Sequence, residues 1–283
     1  MNAISLHNQR LSEPVRRGQI HLIDTHCHLT FEPLAGDIES VLERSRAAGV
    51  NSWITVGTDT QHSQKAIALA GRFDNMYAAV GIHPHDAEGV TAQALTELKK
   101  LAEDVKVVAI GETGLDFHYN FSKQPAQRRV FVQQLKIAQE FNLPVIIHSR
   151  DAFDETMDIL EQFGSGVKRV VFHCFSGSPE QANIVLTKGY YISLTGVVTF
   201  KNAHKTQQVA KMMPTDRLML ETDCPYMSPE PMRKQKINEP ALMLHTAKFL
   251  AELKGMDLAD FADAVTAASR AFFSLPPNVL ECY

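Results

Sequence analysis

The chain has 283 residues, 45% of them hydrophobic and 21% charged, which suits a globular protein with one large α/β barrel or two small domains. A net charge of −4 and a pI of about 6.3 leave no global basic footprint, which argues against tight binding along a nucleic-acid tract but not against gripping one strand end. No apolar run nears the ~20 residues that span a bilayer, and four cysteines (Cys27, Cys174, Cys224, Cys282) are too few for a disulfide framework and fit a reducing, cytoplasmic setting.

Residues 1–18 are polar, carry Arg10, Arg16, Arg17 and Glu13, and lack the apolar core of a secretory signal. They read as a flexible extension, with the folded domain over 19–283. From there apolar runs alternate with amphipathic ones. The first strand candidate is Ile20–His28, followed by a helix over Asp37–Ala48 that stops at Gly49. Strand candidates Asn51–Gly57, Met76–Pro84 and Val107–Asp116 come next, then a helix over Gln124–Asn142. Leu143–Arg150 and Arg169–Gly177 are the fifth and sixth strand candidates. Ser178-Pro179-Glu180 opens the following helix, with Ser as N-cap and Pro in the first turn. Tyr190–Gly196 and Leu218–Pro225 complete eight strands, and helices over Ala241–Lys254 and Leu258–Phe273 close the chain. Eight βα units predict an α/β fold, a single (β/α)8 TIM barrel with its site at the C-terminal ends of the strands. A doubly wound open sheet is the alternative, disfavoured because no Gly-rich phosphate loop follows the first strand.

The ends of these strands carry ionisable residues. His26-x-His28 leaves both imidazoles on one face, about 7 Å apart at ~3.3 Å per residue. Glu112, His148, His173 and Asp223 stand at the ends of the fourth, fifth, sixth and eighth strands. Buried ionisable groups are costly unless paired or metal-bound, so their joint placement predicts a metal site. Six ligands exceed one tetrahedral site and suit two divalent ions, with Glu112 as the bridge. His26, His28 and Asp223 would hold one ion, and His148 and His173 the other. Asp223 could also take a proton from the attacking water. Asp24 and Glu221 share faces with these ligands one layer deeper. They either orient a ligand or water, or are buried carboxylates satisfied by backbone and Thr hydroxyls. Alternation turns Cys27, Cys174 and Cys224 away from the interior, as small apolar fillers.

At these positions the chain resembles the TatD family of metal-dependent deoxyribonucleases, within the amidohydrolase-like barrel group. The matching segments are Ile23-Asp-Thr-His-Cys-His28, Gly81-Ile-His-Pro84, Gly111-Glu-Thr-Gly-Leu-Asp116, Leu143–Ala152, Phe172-His-Cys-Phe-Ser-Gly177, Leu220-Glu-Thr-Asp-Cys-Pro225 and Asn238-Glu-Pro240. The resemblance implies a (β/α)8 barrel, the six ligand roles above, and metal-dependent hydrolysis of DNA phosphodiester bonds, often from the 3′ end. It suggests Mg²⁺ or Mn²⁺ in use, while the imidazole-rich donor set makes Zn²⁺ possible. Two departures stand out. Thr30 replaces the usual Asp or Asn after the HxH motif, and Arg233–Asn238 is longer than the family's basic run, with Ile237 where Arg is usual.

Around the ligands, His83 either hydrogen-bonds a phosphate or leaving group, or caps the turn before Pro84. Arg150 is either a phosphate clamp or a salt-bridge partner of Asp151 or Asp154. Arg233 is the phosphate candidate of the long segment Pro225–Pro240, expected over the active-site face. Phe117, Phe175 and Tyr226 either stack bases or pack loops. DNA ends are the expected substrate, no membrane partner is expected, and a monomer is favoured. The alternative functions are an amidohydrolase of small cyclic amides or esters, and a non-catalytic scaffold, which the intact ligand set disfavours.

Overall fold

The computed structural model describes residues 20–167 and 169–276; the expected extension over 1–18 and Cys282 lie outside them. In chain order the described elements are β1 (Leu22–Cys27), α1 (Ile38–Ala47), β2 (Val50–Val56), α2 (Thr60–Ala70), β3 (Met76–Val80), α3 (Ala92–Leu101), β4 (Val107–Asp116), α4 (Gln124–Phe141) and β5 (Val145–Arg150). They continue with α5 (Phe153–Phe163), β6 (Val170–Phe172), α6 (Pro179–Thr187), β7 (Tyr191–Leu194), α7 (His204–Met212), β8 (Leu218–Leu220), α8 (Met243–Lys254) and α9 (Leu258–Phe273). All eight expected strands are present, parallel and in the order β1 to β8. The ring closes where His28 N–H donates to Cys224 O and Asp223 N–H donates to His26 O, at 2.8 and 2.9 Å. The fold is a (β/α)8 TIM barrel.

Local chemistry sets several boundaries. Gly49 and Asn142 stop α1 and α4 in left-handed backbone, at φ of +87° and +53°. Ser178 caps α6 in a reciprocal capping box with Gln181. Two apolar layers then form. Between sheet and helices lies a continuous core including Leu22, Cys27, Trp53, Phe131 and Phe261. Inside the barrel, Ile23, Ile54, Val56, Ala79, Ala109, Ile146, Val171 and Met219 pack together, and Phe272 and Phe273 at the end of α9, with Leu275 just beyond it, seal them. Each fully buried Val or Ile contributes about 1.5–3 kcal/mol.

Two departures from strict alternation matter. Leu22 and Cys27 face the outer core while Ile23 faces the interior, so the phase slips once between Ile23 and Cys27, where the β1–β2 register shifts. In addition, β6 and β8 end at Phe172 and Leu220, earlier than predicted, so His173, Cys174 and Asp223 stand on loops. Alternation therefore does not govern Cys174. Its φ is +45°, and it lines the cavity at the metal end, contrary to the filler role expected of it. Cys27 and Cys224 are buried in the outer core, as expected. Among the described residues, no helix is long and apolar enough to cross a membrane.

Candidate metal centre

The C-terminal strand ends gather two groups of donors. His26 Nε2 and His28 Nε2 lie 3.3 Å apart. Glu112 Oε2 is 3.3 Å from His26 Nε2, and Asp223 Oδ1 is 3.3 Å from His28 Nε2. Two donors about 2.1 Å from one tetrahedral ion stand about 3.4 Å apart, so this spacing fits a single cation. On the other side, Glu112 Oε1 is 2.7 Å from His173 Nε2 and 2.8 Å from His148 Nδ1, which are 3.4 Å from each other. Glu112 thus divides its two oxygens between the two histidine pairs. Its position depends on Gly114, two residues on at φ +134°, where an added Cβ would lie 2.1 Å from His148 O. Only glycine lets β4 come this close to β5.

The tautomers of the ligand candidates follow from their outer nitrogens. His28 Nδ1–H donates to Val56 O at 3.1 Å, leaving Nε2 for the cluster. His148 Nε2–H donates to Asp116 Oδ2 at 3.0 Å, leaving Nδ1. His26 Nδ1 is buried without a hydrogen-bond partner, and His173 Nδ1 sits 3.5 Å from Glu221 Oε1 without hydrogen-bonding alignment. His83 is different. Its Nδ1 accepts the His85 N–H at 3.1 Å, so its neutral ring carries the proton on Nε2, aimed at Glu112 Oε1 from 3.4 Å. Burial holds its pKa down at about 4, which keeps it neutral near pH 7. His83 therefore caps its turn, as one of the two alternatives had it, and turns its Nε2–H toward Glu112.

Electrostatics balance the buried carboxylates. Burial alone would raise Glu112, but the imidazoles of His173, His83 and His148 outweigh it and hold the carboxyl well below its usual range. Asp223 is lowered in the same way, burial being outweighed by His28 and His26. His28, His148 and His173 are raised despite burial, through Asp223, through Asp116 and Glu112, and through Glu112 respectively. Ligating imidazoles must be neutral, so an ion bound here competes with protons for these ring nitrogens. The mixed imidazole and carboxylate donors suit Mn, Fe or Zn by affinity and accept Mg less readily.

The supporting carboxylates differ. Asp24 is fully buried, and its oxygens accept from Thr222 N–H at 2.9 Å and Thr222 Oγ1 at 2.5 Å. It touches no imidazole ring, and it pins the residue beside Asp223. Burial raises its pKa to about 7. Glu221 accepts from Cys174 N–H and Ser193 Oγ, both at 2.6 Å, which places it beside the His173 ring. Asp116 plays a part the sequence reading did not assign. It is fully buried, and Oδ2 also accepts from His85 Nε2 at 3.0 Å while Oδ1 accepts the Tyr119 N–H at 2.8 Å. Residues 112, 114 and 116 alternate on one strand face, and that period was the available signal. Gln127 and Gln134 of α4 reinforce the same region, bonding Asp116 N–H and Ile82 N–H, both at 2.8 Å.

A cavity of about 680 Å³ opens over the cluster, lined also by Phe31, Tyr119, Arg150, Phe175 and Tyr226. A second, of about 480 Å³, adjoins it and carries Phe117, Asp151, Asp154 and Glu155. Arg150 lines the larger cavity and lies 4.7 Å over the Tyr119 ring; Asp151 pairs with His118, and among the described residues the alternative salt bridge from Arg150 to Asp151 or Asp154 is not formed. Arg233 is half-exposed, 4.0 Å over Phe200 and 3.9 Å from Glu230, and does not line either cavity. The segment from Pro225 to Pro240 runs over this face, held by Asn238. Its N–H donates to Pro225 O at 3.0 Å, and its Nδ2 donates to Thr222 O and Tyr226 O at 3.0 and 2.6 Å. Glu239 accepts from Arg44 of α1, Nη2 to Oε2 at 2.6 Å.

The family model described as TatD related DNase matches residues 23–274. The chain belongs to the TatD family. A Bacillus subtilis relative named "Uncharacterized metal-dependent hydrolase YabD" is 41% identical over 90% of this chain and 99% of its own length. The Cronobacter sakazakii protein named "3'-5' ssDNA/RNA exonuclease TatD" is 35% identical over 88% of this chain and 96% of its own. Among solved structures, the TatD homologue YJJV from Escherichia coli superposes with a TM-score of 0.84 and 34% identity, covering 90% of this chain and 98% of that one. The protein is accordingly a metal-dependent hydrolase of the TatD family, acting on ester bonds.

Proposed function

We propose that this TatD-family protein shortens single-stranded or frayed DNA from its 3′ end, using two divalent ions held by His26, His28, Glu112, His148, His173 and Asp223. The observation that carries the two-ion reading is the divided carboxylate of Glu112, with one oxygen toward each histidine pair. Bound there, the cations supply the charge that activates water and neutralises a phosphoryl group. Mg²⁺ or Mn²⁺ are the ions proposed in use, with Zn²⁺ compatible with the donors. Asp223 holds His28 with Oδ1 and is 14% exposed toward the cavity, positioned to accept the proton of the attacking water. The Nε2–H of His83 donates to a phosphoryl or leaving-group oxygen, and Arg150 clamps a phosphate at the cavity wall. The family description and the naming of one relative for single-stranded DNA and RNA support the substrate class.

The test is a substrate panel of 3′- and 5′-labelled single-stranded DNA, RNA and small cyclic amides, with Mg²⁺ or Mn²⁺. Shortening of DNA from the 3′ end, abolished by EDTA and by Asp223→Asn, supports the reading. Turnover of cyclic amides without nucleic-acid cleavage moves the protein to the amidohydrolase alternative. Full DNA cleavage by a folded Asp223→Asn protein overturns the assigned chemistry.

A further inference from the structure

Three of the four exposed aromatic side chains of the described residues stand at the metal end: Tyr119, Phe121 and Tyr226, at 48, 68 and 53% exposure. Two of them form a stack. The Tyr119 and Phe121 rings are 5.3 Å apart and 14° from parallel, with His85 edge-on to both at 5.7 and 4.7 Å. Tyr119 and His85 line the cavity over the ligand cluster; Phe121 touches both and lies one step outside. The Arg150 guanidinium rests 4.7 Å over Tyr119, and among the described residues no carboxylate pairs with it. Large exposed rings are ordinary when scattered, but a contiguous aromatic pair with an unpaired cation at a cavity mouth marks a binding surface.

From this geometry we infer that the turn between β4 and α4 is a stacking ledge for an unpaired base of the nucleic-acid strand whose phosphate is in the centre. The inference rests on the nuclease reading above and adds where the strand is held. Aromatic rings accept any base through its π-face, and a guanidinium beside them serves the connecting phosphate. The ledge is open, where a site for a small molecule would enclose its ligand. A base paired and stacked within a duplex cannot lie on Phe121, so the ledge selects single strands and frayed ends.

The ledge is held in shape by the turn's own hydrogen bonds. Asp116 Oδ1 accepts the N–H groups of His118 and Tyr119, at 3.1 and 2.8 Å. Asn120, at φ +50°, donates from Nδ2 to Phe117 O at 2.7 Å. Ser122 Oγ donates to His85 O at 2.6 Å, and Gln127 Nε2 donates to Ser122 O at 2.8 Å. Such a turn loses little freedom on binding. Asp116 Oδ2 meanwhile holds His148, so a single carboxylate sets the distance between ledge and metal centre.

The test compares the metal-loaded enzyme with its Phe121→Ala variant on a short oligothymidylate and on bis(4-nitrophenyl) phosphate, which has no base. The ratio of kcat/KM for the oligonucleotide to that for the small diester is expected to fall roughly tenfold, the scale of one lost base stack. Phe121→Trp restores the ratio. An abasic residue at the stacked nucleotide lowers the wild-type ratio equally and removes the difference between wild type and Phe121→Ala. A wild-type ratio in Phe121→Ala, with DNA cleavage intact, overturns the ledge and leaves the nuclease reading standing. A wild-type enzyme that hydrolyses the small diester and no nucleic acid overturns both.

Discussion

Toward the N-terminal ends of its strands the barrel interior is filled by Ile23, Ala109, Ile146 and Met219 and sealed by Phe272, Phe273 and Leu275. Toward the C-terminal ends the same strands bring His26, His28, Glu112 and Asp116 into a buried polar cluster with His173 and Glu221. The first region gains free energy from every atom it removes from water. The second removes charges from water and is held together by mutual compensation, which returns less stability than an apolar packing of the same shape. The chain thus keeps an energetically inferior arrangement at one end, and the fold supports it from the other.

Substitutions at the two ends should therefore separate stability from activity. Phe272→Ala in the apolar seal is expected to cost about 3–5 kcal/mol, lowering Tm by roughly ten degrees in calorimetry while folded molecules keep their specific activity. Equal losses of activity and stability in that variant would break the division. Glu112→Gln should strike activity in molecules that remain folded: more than about 100-fold less hydrolysis per folded molecule, because even outer supports of metal ligands cost 10–100-fold. Asp116→Asn should weaken metal binding about 10–100-fold, read by titration calorimetry with Mn²⁺, because His148 loses the acceptor that fixes its tautomer.

The smallest effect belongs to the outer surface. Arg128 of α4 pairs with Glu155 of α5, and that contact holds the Glu155 carboxyl below its ordinary pKa. A lowered carboxyl contributes stability above its unfolded value and loses it as pH falls through the folded one. Both side chains are about one-third exposed, so the pair contributes at most about 0.5 kcal/mol. The Tm difference between wild type and Glu155→Gln should be near a degree at pH 7 and vanish below about pH 4.

The eight strands were legible because apolar runs and turn residues repeat at the spacing of βα units. The six ligand candidates were legible because each stands where an apolar run ends in an ionisable residue. Periodicity misplaced Cys174 because β6 stops at Phe172, and a side chain on a left-handed loop residue follows no strand period. His85 gave no periodic signal: it follows Pro84 in a turn, and only the fold brings it to Asp116, 31 residues on. Tyr119 and Phe121 were hidden for a related reason, since aromatic residues in a connection read as ordinary loop packing. Arg150 and Arg233 were both phosphate candidates, and the structure separates them by place: Arg150 lines the larger cavity, while Arg233 lies 3.9 Å from Glu230 outside both cavities.

The loop after β8 leaves and re-enters the barrel at one point, where Asn238 N–H meets Pro225 O, and residues 233–237 between are exposed. A loop with a closed neck is a replaceable module. Doubling its length adds only about 0.6 kcal/mol of closure entropy, and the neck, through Thr222 and Tyr226, keeps its grip on the rim whatever the loop contains. Segments of other length or charge inserted within the exposed residues 233–237 would change what approaches the barrel mouth, with the six metal-ligand candidates left in place.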